Sequence, residues 1–259
     1  MTCPRCQQQS PPDADFCPHC GAKLAAVCVD CGTEPGKWAD IIAVRTRSPS
    51  LLPWHDPEAN LVYAARGPDV VAAHATYLSD AEADLVGSRR TAVAHCPSSN
   101  AKLEGRVAPI ARMRRAGAIV GLGTDAACCN NGMDLFEEMK VAGLLNKVAA
   151  DDPAALPSLD LLRAATSEAA RALGIDHLVG TLEPGKRADI IAVRTRSARL
   201  QPWHDPVANL VYAARGSDVV AVFVNGEQLV RGGRRLKLDA ERILADATQP
   251  AGRLTNVGA

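Results

Sequence analysis

The 259-residue chain balances 29 Lys+Arg against 29 Asp+Glu, so its formal net charge is zero and no global field draws it to nucleic acid or an anionic membrane. Apolar residues make up 47%, enough for a globular core, but aromatics are only 3%, so that core must lean on Ala, Val, Leu and Ile. The first residues lack the apolar stretch of an export signal and no run reaches membrane-spanning length; nine cysteines in that setting point to a reducing cytoplasm and to metal binding rather than disulfides.

Residues 1–33 read as an N-terminal zinc ribbon. Cys3-Pro-Arg-Cys6 and Cys17-Pro-His-Cys20 are two Cys-x-x-Cys knuckles, the second followed by Gly21. Each knuckle puts two thiolates on a tight turn, and the pair completes a tetrahedral four-sulfur site for structural zinc. A redox pair is the rival, but no strand-helix-strand pattern surrounds these cysteines. A third knuckle, Cys28-Val-Asp-Cys31, has no fourth to complete it and reads as an unfilled half-site.

Residues 34–71 form a block that recurs almost unchanged. Glu34 to Val71 returns as Glu183 to Val220 at a constant offset of 149, with six of 38 positions different. Solenoids repeat many times at short period. One block copied once indicates recent duplication or recombination. The first copy either contributes a strand that pairs with the second copy's neighbours or does not fold.

Residues 72–180 alternate short apolar runs with amphipathic ones. Asp69 to Ala73 predicts a buried strand ending in His74, and Ser79 to Ser88 a helix whose Ser79 and Glu82 form a capping box. Thr91 to His95 predicts the next strand, with Cys96-Pro-Ser-Ser-Asn100 as its loop. Ala108 to Ala116 reads as helix and Ala118 to Gly123 as a strand with Asp125 beyond its carboxyl end. The helix from about Met133 to Ala149 places Leu135, Met139, Ala142 and Leu145 on one face. Ser158 caps a further helix running to Leu173 and stopped by Gly174. Cys128 and Cys129 are adjacent rather than spaced, so the two do not readily ligate one ion, and they read as small buried side chains.

Residues 181–259 form a tail of strands and a C-terminal helix. Ala188 to Val193 and Val219 to Val224 read as strands, Asn225-Gly226 as a two-residue hairpin turn, and the basic run Arg231 to Lys237 as a solvated hairpin.

Four stretches together carry a resemblance: Ala73-His74-Ala-Thr-Tyr-Leu-Ser-Asp-Ala-Glu82, Ala94-His-Cys-Pro-Ser-Ser-Asn-Ala-Lys-Leu103, Gly123-Thr-Asp-Ala-Ala-Cys-Cys-Asn-Asn131, and Ala170-Arg-Ala-Leu-Gly174 running on to Gly180-Thr-Leu-Glu-Pro-Gly-Lys-Arg-Ala-Asp-Ile-Ile191. In this order they resemble the amidohydrolase superfamily, in its branch of nucleobase, nucleoside and triazine deaminases and chlorohydrolases. Asn130-Asn131 and Asn209-Leu-Val-Tyr-Ala-Ala214 are most similar to methylthioadenosine/S-adenosylhomocysteine deaminases. The resemblance implies an α/β fold: part of a (β/α)8 barrel, strands six to eight only, with a small β-sandwich tail.

It also implies roles. His74 matches the strand-six histidine that orients a metal-bound hydroxide, and Asp125 the strand-eight aspartate that binds the metal and accepts the water's proton. His95 and Asn100 match positions beside the substrate. The plainer readings are that His95 is a core histidine and that Asn100 and Asp125 brace turns. The family also takes a His-x-His pair from strand one and a strand-five histidine with a glutamate three residues on. This chain has no His-x-His, and of its six histidines only His55 has such a glutamate, Glu58, inside a proline-bounded loop. A catalytic zinc wants three protein ligands, and the matched positions supply Asp125 alone. The expectation is therefore an amidohydrolase by ancestry without turnover, a divalent metal at its remnant site being in doubt. A zinc-ribbon binding module with a non-catalytic remnant, and a chimeric reading frame, stay open beside it. A small-molecule substrate if the chain is active, no nucleic acid, no membrane and a homo-oligomer left open complete the expectations.

Overall fold

The computed structural model describes Gln9, residues 40–44 and residues 70–255. The chain divides into two compact units between Lys37 and Trp38, and all the described residues except Gln9 belong to the second. Cys3, Cys6, Cys17 and Cys20, the half-site at Cys28 and Cys31, and the His55/Glu58 pair lie outside the described residues.

The first sheet has the order β1-β2-β3-β4, built from β1 (Asp40–Val44), β2 (Val70–Ala73), β3 (Ala92–His95) and β4 (Ile119–Leu122). β2, β3 and β4 are parallel, with Ala72 opposite Val93 and Val93 opposite Val120. Parallel strands buried on both faces read as continuous apolar runs, and Val93 and Val120 are buried as that requires. The crossovers carry α1 (Asp80–Ser88) and α2 (Ile110–Arg115). The capping box is present at α1: the Ser79 hydroxyl accepts from the Glu82 N–H, and the Glu82 carboxylate accepts from the Ser79 N–H at 2.8 Å. α1 and α2 touch where a Cβ on Gly87 would lie 2.2 Å from that of Ala116, so only glycine permits the approach.

Two segments depart from the sequence reading. Cys96 to Asn100 is not an open loop. Pro97–Ser99 is a helical turn that widens into a π-turn over Asn100–Glu104 and ends at Gly105, φ 62°. Pro97 sits at the first helical position, where its fixed φ suits the turn, and the Asn100 N–H reaches back to the Cys96 carbonyl at 3.0 Å. Nor is 158–173 one helix: α5 (Ser158–Ala164) and α6 (Ser167–Ala172) are separated at Thr166, φ −133° and ψ −95°. The Thr166 hydroxyl donates to the Leu162 carbonyl at 2.7 Å, the local bonding by which threonine competes with a helix. The residue before α5 is Pro157, with no side-chain cap, and Ser158 lies inside the helix. The break lets α6 lie against β4, where a Cβ on Gly121 would meet the Ala169 backbone at 3.0 Å.

Between β4 and α5 come a one-turn helix, α3 (Ala127–Asn130), and the long α4 (Leu135–Ala150), capped by Asp134. The buried side of α4 is Phe136, Glu138, Met139, Ala142, Gly143 and Asn146, whereas Leu135 is 39% exposed. Met139 and Ala142 face inward as expected, while Leu135 and Leu145 give way to Phe136, Glu138, Gly143 and Asn146.

The second sheet is antiparallel, β5-β6-β7-β8, from β5 (Ile190–Val193), β6 (Val219–Val224), β7 (Glu227–Arg231) and β8 (Arg234–Arg235). Asn225 and Gly226 both take positive φ, 51° and 82°, which the tight β6–β7 turn demands. Gly232 and Gly233 turn the exposed basic run into the β7–β8 hairpin. This sheet is a single layer among the described residues and stands where a sandwich was expected. α7 (Pro206–Tyr212) packs on α4 and α5, with a Cβ on Gly143 blocked by Leu161 and the Tyr212 hydroxyl. A C-terminal helix, α8 (Ala240–Thr255), follows.

The two copies of the duplicated block build the same strand pair in different sheets. β1 lies antiparallel to β2, and β5 antiparallel to β6. β1 therefore pairs at the edge of the parallel sheet and not with the second copy's neighbours. Val44 opposite Val70 and Val193 opposite Val219 are the same pair, 149 residues apart. Beyond it the registers diverge: the extra residue is Ile42, on β1, in the first pair and Val220, on β6, in the second. β2 is held on its other side by the regular parallel ladder to β3, so the bulge falls on the edge strand.

Candidate functional site

Three parallel strands end at one side of the first sheet, and the residues after them form the site. β2 runs into His74 and Ala75, both with positive φ, 60° and 55°, and β4 into Asp125, φ 58°. A left-handed conformation at non-glycine residues costs of order 1–3 kcal/mol each and persists only where surroundings impose it. Here the imposing bonds are visible: the His74 N–H donates to Ala94 O at 3.0 Å, and the Gly123 N–H to His95 O at 2.9 Å.

His74 and Asp125 come together. Their nearest nitrogen and oxygen, Nε2 and Oδ2, are 3.9 Å apart, too far for a hydrogen bond. Asn100 joins them from the π-turn: its Oδ1 lies 2.7 Å from His74 Nδ1. With that oxygen facing the ring, Nδ1 carries the proton and Nε2 is turned to the carboxylate. Asp125 accepts from the Ser99 hydroxyl at 2.5 Å and from the Ala126 N–H at 2.8 Å. Burial works to raise its pKa, but Ser99, Ala126, the His74 charge and the Cys129 thiol outweigh it and hold the carboxyl below its ordinary value of 3.8.

His95 is enclosed, and its enclosure carries a cost. It is buried at the end of β3, and neither ring nitrogen meets a protein partner; the Asn100 Nδ2 amide is likewise unpartnered. Burial first, and then the His74 charge, push its pKa down to about 3, so the ring is neutral at physiological pH. Each unmatched buried polar group costs about 1–3 kcal/mol.

The residue that sequence reasoning missed is Glu138. It is buried in α4, accepts from Asn130 Nδ2 at 2.8 Å and from the Ser98 N–H at 3.2 Å, and so ties the turn carrying Ser99 and Asn100 to the turn after Asp125. Asn130 Nδ2 also bonds to Thr124 O at 2.8 Å. Acidic periodicity gave no signal, because a glutamate in a first helical turn is ordinary. Cys96 is buried behind the site as expected for a small apolar side chain; burial first, then Asp125 and Glu138, drive its thiol up to about 12. Cys128 and Cys129 are not buried: the first is exposed and the second half-buried. α3 faces solvent on that side, so adjacency in sequence did not mean burial.

A hydrolytic divalent metal does not fit this donor set. Among the described residues no three His, Cys, Asp or Glu side chains converge to hold an ion. His74 Nε2 and Asp125 are the donors that the matched positions bring together.

Residues 54–229 match the amidohydrolase family over more than half the chain. The chain belongs to the amidohydrolase family. Residues 3–39 separately match the double zinc ribbon, so this amidohydrolase carries a zinc-binding module type before its family segment. It is 46% identical over 187 residues to a 5-methylthioadenosine/S-adenosylhomocysteine deaminase of Pelotomaculum thermopropionicum, an alignment covering 72% of this chain and 43% of that one. It is 46% identical over 189 residues to a 5'-deoxyadenosine deaminase of Methanothermobacter thermautotrophicus, covering 73% and 44%. Among solved structures it superposes on an adenosine deaminase from Xanthomonas campestris with bound zinc, at TM-score 0.73 and 34% identity, over 80% of this chain and 48% of that one. An atrazine chlorohydrolase mutant from Arthrobacter aurescens complexed with zinc and atraton aligns at TM-score 0.68 and 30% identity, over 76% and 43%. The amidohydrolase chain thus spans less than half the length of the relatives it matches. Among the described residues, no helix is long and apolar enough to cross a membrane.

Proposed function

We propose that β2, β3 and β4 are the sixth, seventh and eighth strands of a deaminase-type barrel, and that this chain keeps the substrate-facing corner of that site without hydrolysing a substrate. The observation that carries the reading is the donor count: His74 and Asp125 meet at the strand ends, while no third metal-binding side chain converges with them among the described residues and no His-x-His occurs in the sequence. Without a metal to lower its pKa, water near neutral pH is a poor nucleophile. What the corner keeps is hydrogen-bonding capacity: the paired His74 and Asn100, the Asp125 carboxylate, and the unpartnered amide of Asn100. Such groups suit the polar edge of an amino-substituted purine or triazine ring, the ring types in the relatives' names, or of a pyrimidine.

The experiment is ammonia release from S-adenosylhomocysteine, 5'-methylthioadenosine, 5'-deoxyadenosine, adenosine, guanine and cytosine by zinc-loaded chain, with Asp125→Asn as control. The expected result is release no greater than the control's. Turnover that Asp125→Asn abolishes would overturn the reading. A second reading, a zinc-ribbon binding module with a non-catalytic family segment, is favoured by the complete knuckles at Cys3, Cys6, Cys17 and Cys20 within the ribbon match. It expects about one zinc per chain, lost in Cys3→Ser/Cys17→Ser and kept in Asp125→Asn.

A further inference from the structure

The strongest feature outside the His74–Asp125 corner is a pair of thiols beside it. Cys128 and Cys129 occupy α3, three and four residues after Asp125. Side chains at neighbouring helical positions usually diverge, yet these sulfurs lie 3.8 Å apart. That is not a disulfide, which needs about 2.05 Å. It is the separation of two corners of a tetrahedron whose bonds are about 2.3 Å, the zinc–thiolate length. Cys128 is exposed and Cys129 half-buried, so the pair lies at the surface.

The turn is fixed. Asn130 Nδ2 ties its end to Thr124 O and Glu138, and Lys102 Nζ holds the Cys128 carbonyl at 3.3 Å. Cys96 is too deeply packed to join the two thiols.

We propose that Cys128 and Cys129 form a dithiolate chelate for a thiophilic divalent cation of the zinc class, at the lip of the Asp125 corner. Binding displaces both thiol protons to solvent and forms two metal–sulfur bonds. Water completes the coordination. The chelate therefore needs two protein donors, in keeping with the lack of three convergent ones among the described residues. Soft thiolate donors select such ions over magnesium or calcium. The site does not depend on whether the chain turns over a substrate.

The test uses the full chain, with Cd2+ as probe in equilibrium dialysis, comparing it with Cys128→Ser/Cys129→Ser. Both proteins keep every ribbon cysteine, so the difference isolates the pair. The expected result is one Cd2+ per chain fewer in the double variant, and a weaker ultraviolet thiolate-to-cadmium band by two thiolates' worth. In the parent, Cd2+ should also protect both residues from alkylation, read by peptide mass spectrometry. Equal stoichiometry in the two proteins overturns the proposal. So does a cation that binds at half an equivalent and pairs two chains, since the sulfurs would then serve separate molecules. Matched thermal unfolding of the two proteins shows that the substitutions leave the fold intact.

Discussion

At the scale of single residues, buried polar groups set the expected behaviour. His95 has a folded pKa of about 3 against an ordinary 6.5. The unfolded chain therefore takes up a proton through that window while the folded chain does not. The stability contribution is full above 6.5 and drains away as pH falls toward 3, with a slope approaching about 1.4 kcal/mol per pH unit. Urea midpoints taken across that window should show this acid limb, and His95→Gln should flatten it by one proton. Cys96, its thiol pushed up to about 12 by burial, should resist alkylation in the native state at mildly alkaline pH while exposed Cys128 reacts, as peptide mapping would show. The types of the site residues were legible in the sequence because His74, Asn100 and Asp125 fall in contiguous, recognisable stretches. Their costs were not. That His95 is enclosed without partners, and that Glu138 closes the site from α4, depend on segments brought together only by folding.

At the scale of elements, local chemistry was readable and long-range competition was not. Ser79 and Glu82 announce α1, and Asn225-Gly226 the β6–β7 turn, because each signal is complete within four residues. The break at Thr166 was hidden, since a threonine in an apolar-periodic run says nothing about whether its hydroxyl turns back on the helix. Two substitutions probe the joints. Glu138→Leu leaves the Ser98 N–H without an acceptor and the Asn130 amide with Thr124 O alone, and should cost about 1–3 kcal/mol in denaturant unfolding. Glu138→Gln keeps one acceptor and should cost less. Gly87→Ala forces a Cβ into Ala116 and the Met113 carbonyl, an overpacking of about 1–3 kcal/mol on the same measurement.

For the molecule as a whole, the duplicated block is the informative case. Its two copies share nearly every letter, so no reading of composition or periodicity distinguishes the partner of β1 from that of β5. The difference lies in what flanks each copy: β2 leads into the parallel strands, whereas β6 leads into its own hairpin. β1 covers an edge of the parallel sheet that would otherwise offer unpaired N–H and C=O groups to other molecules. Ala43→Pro removes a donor from that strand and should promote self-association, seen as a concentration-dependent rise in light scattering.

The strand Val70–Ala73 is bonded along both sides, to a member of the copied block on one and to the family segment on the other. A boundary between repeated and unrepeated sequence thus shares one backbone rail in three dimensions. The segments meeting there are expected to melt in one step, and nicking the peptide between Val44 and Val70 would leave them clasped rather than set them apart.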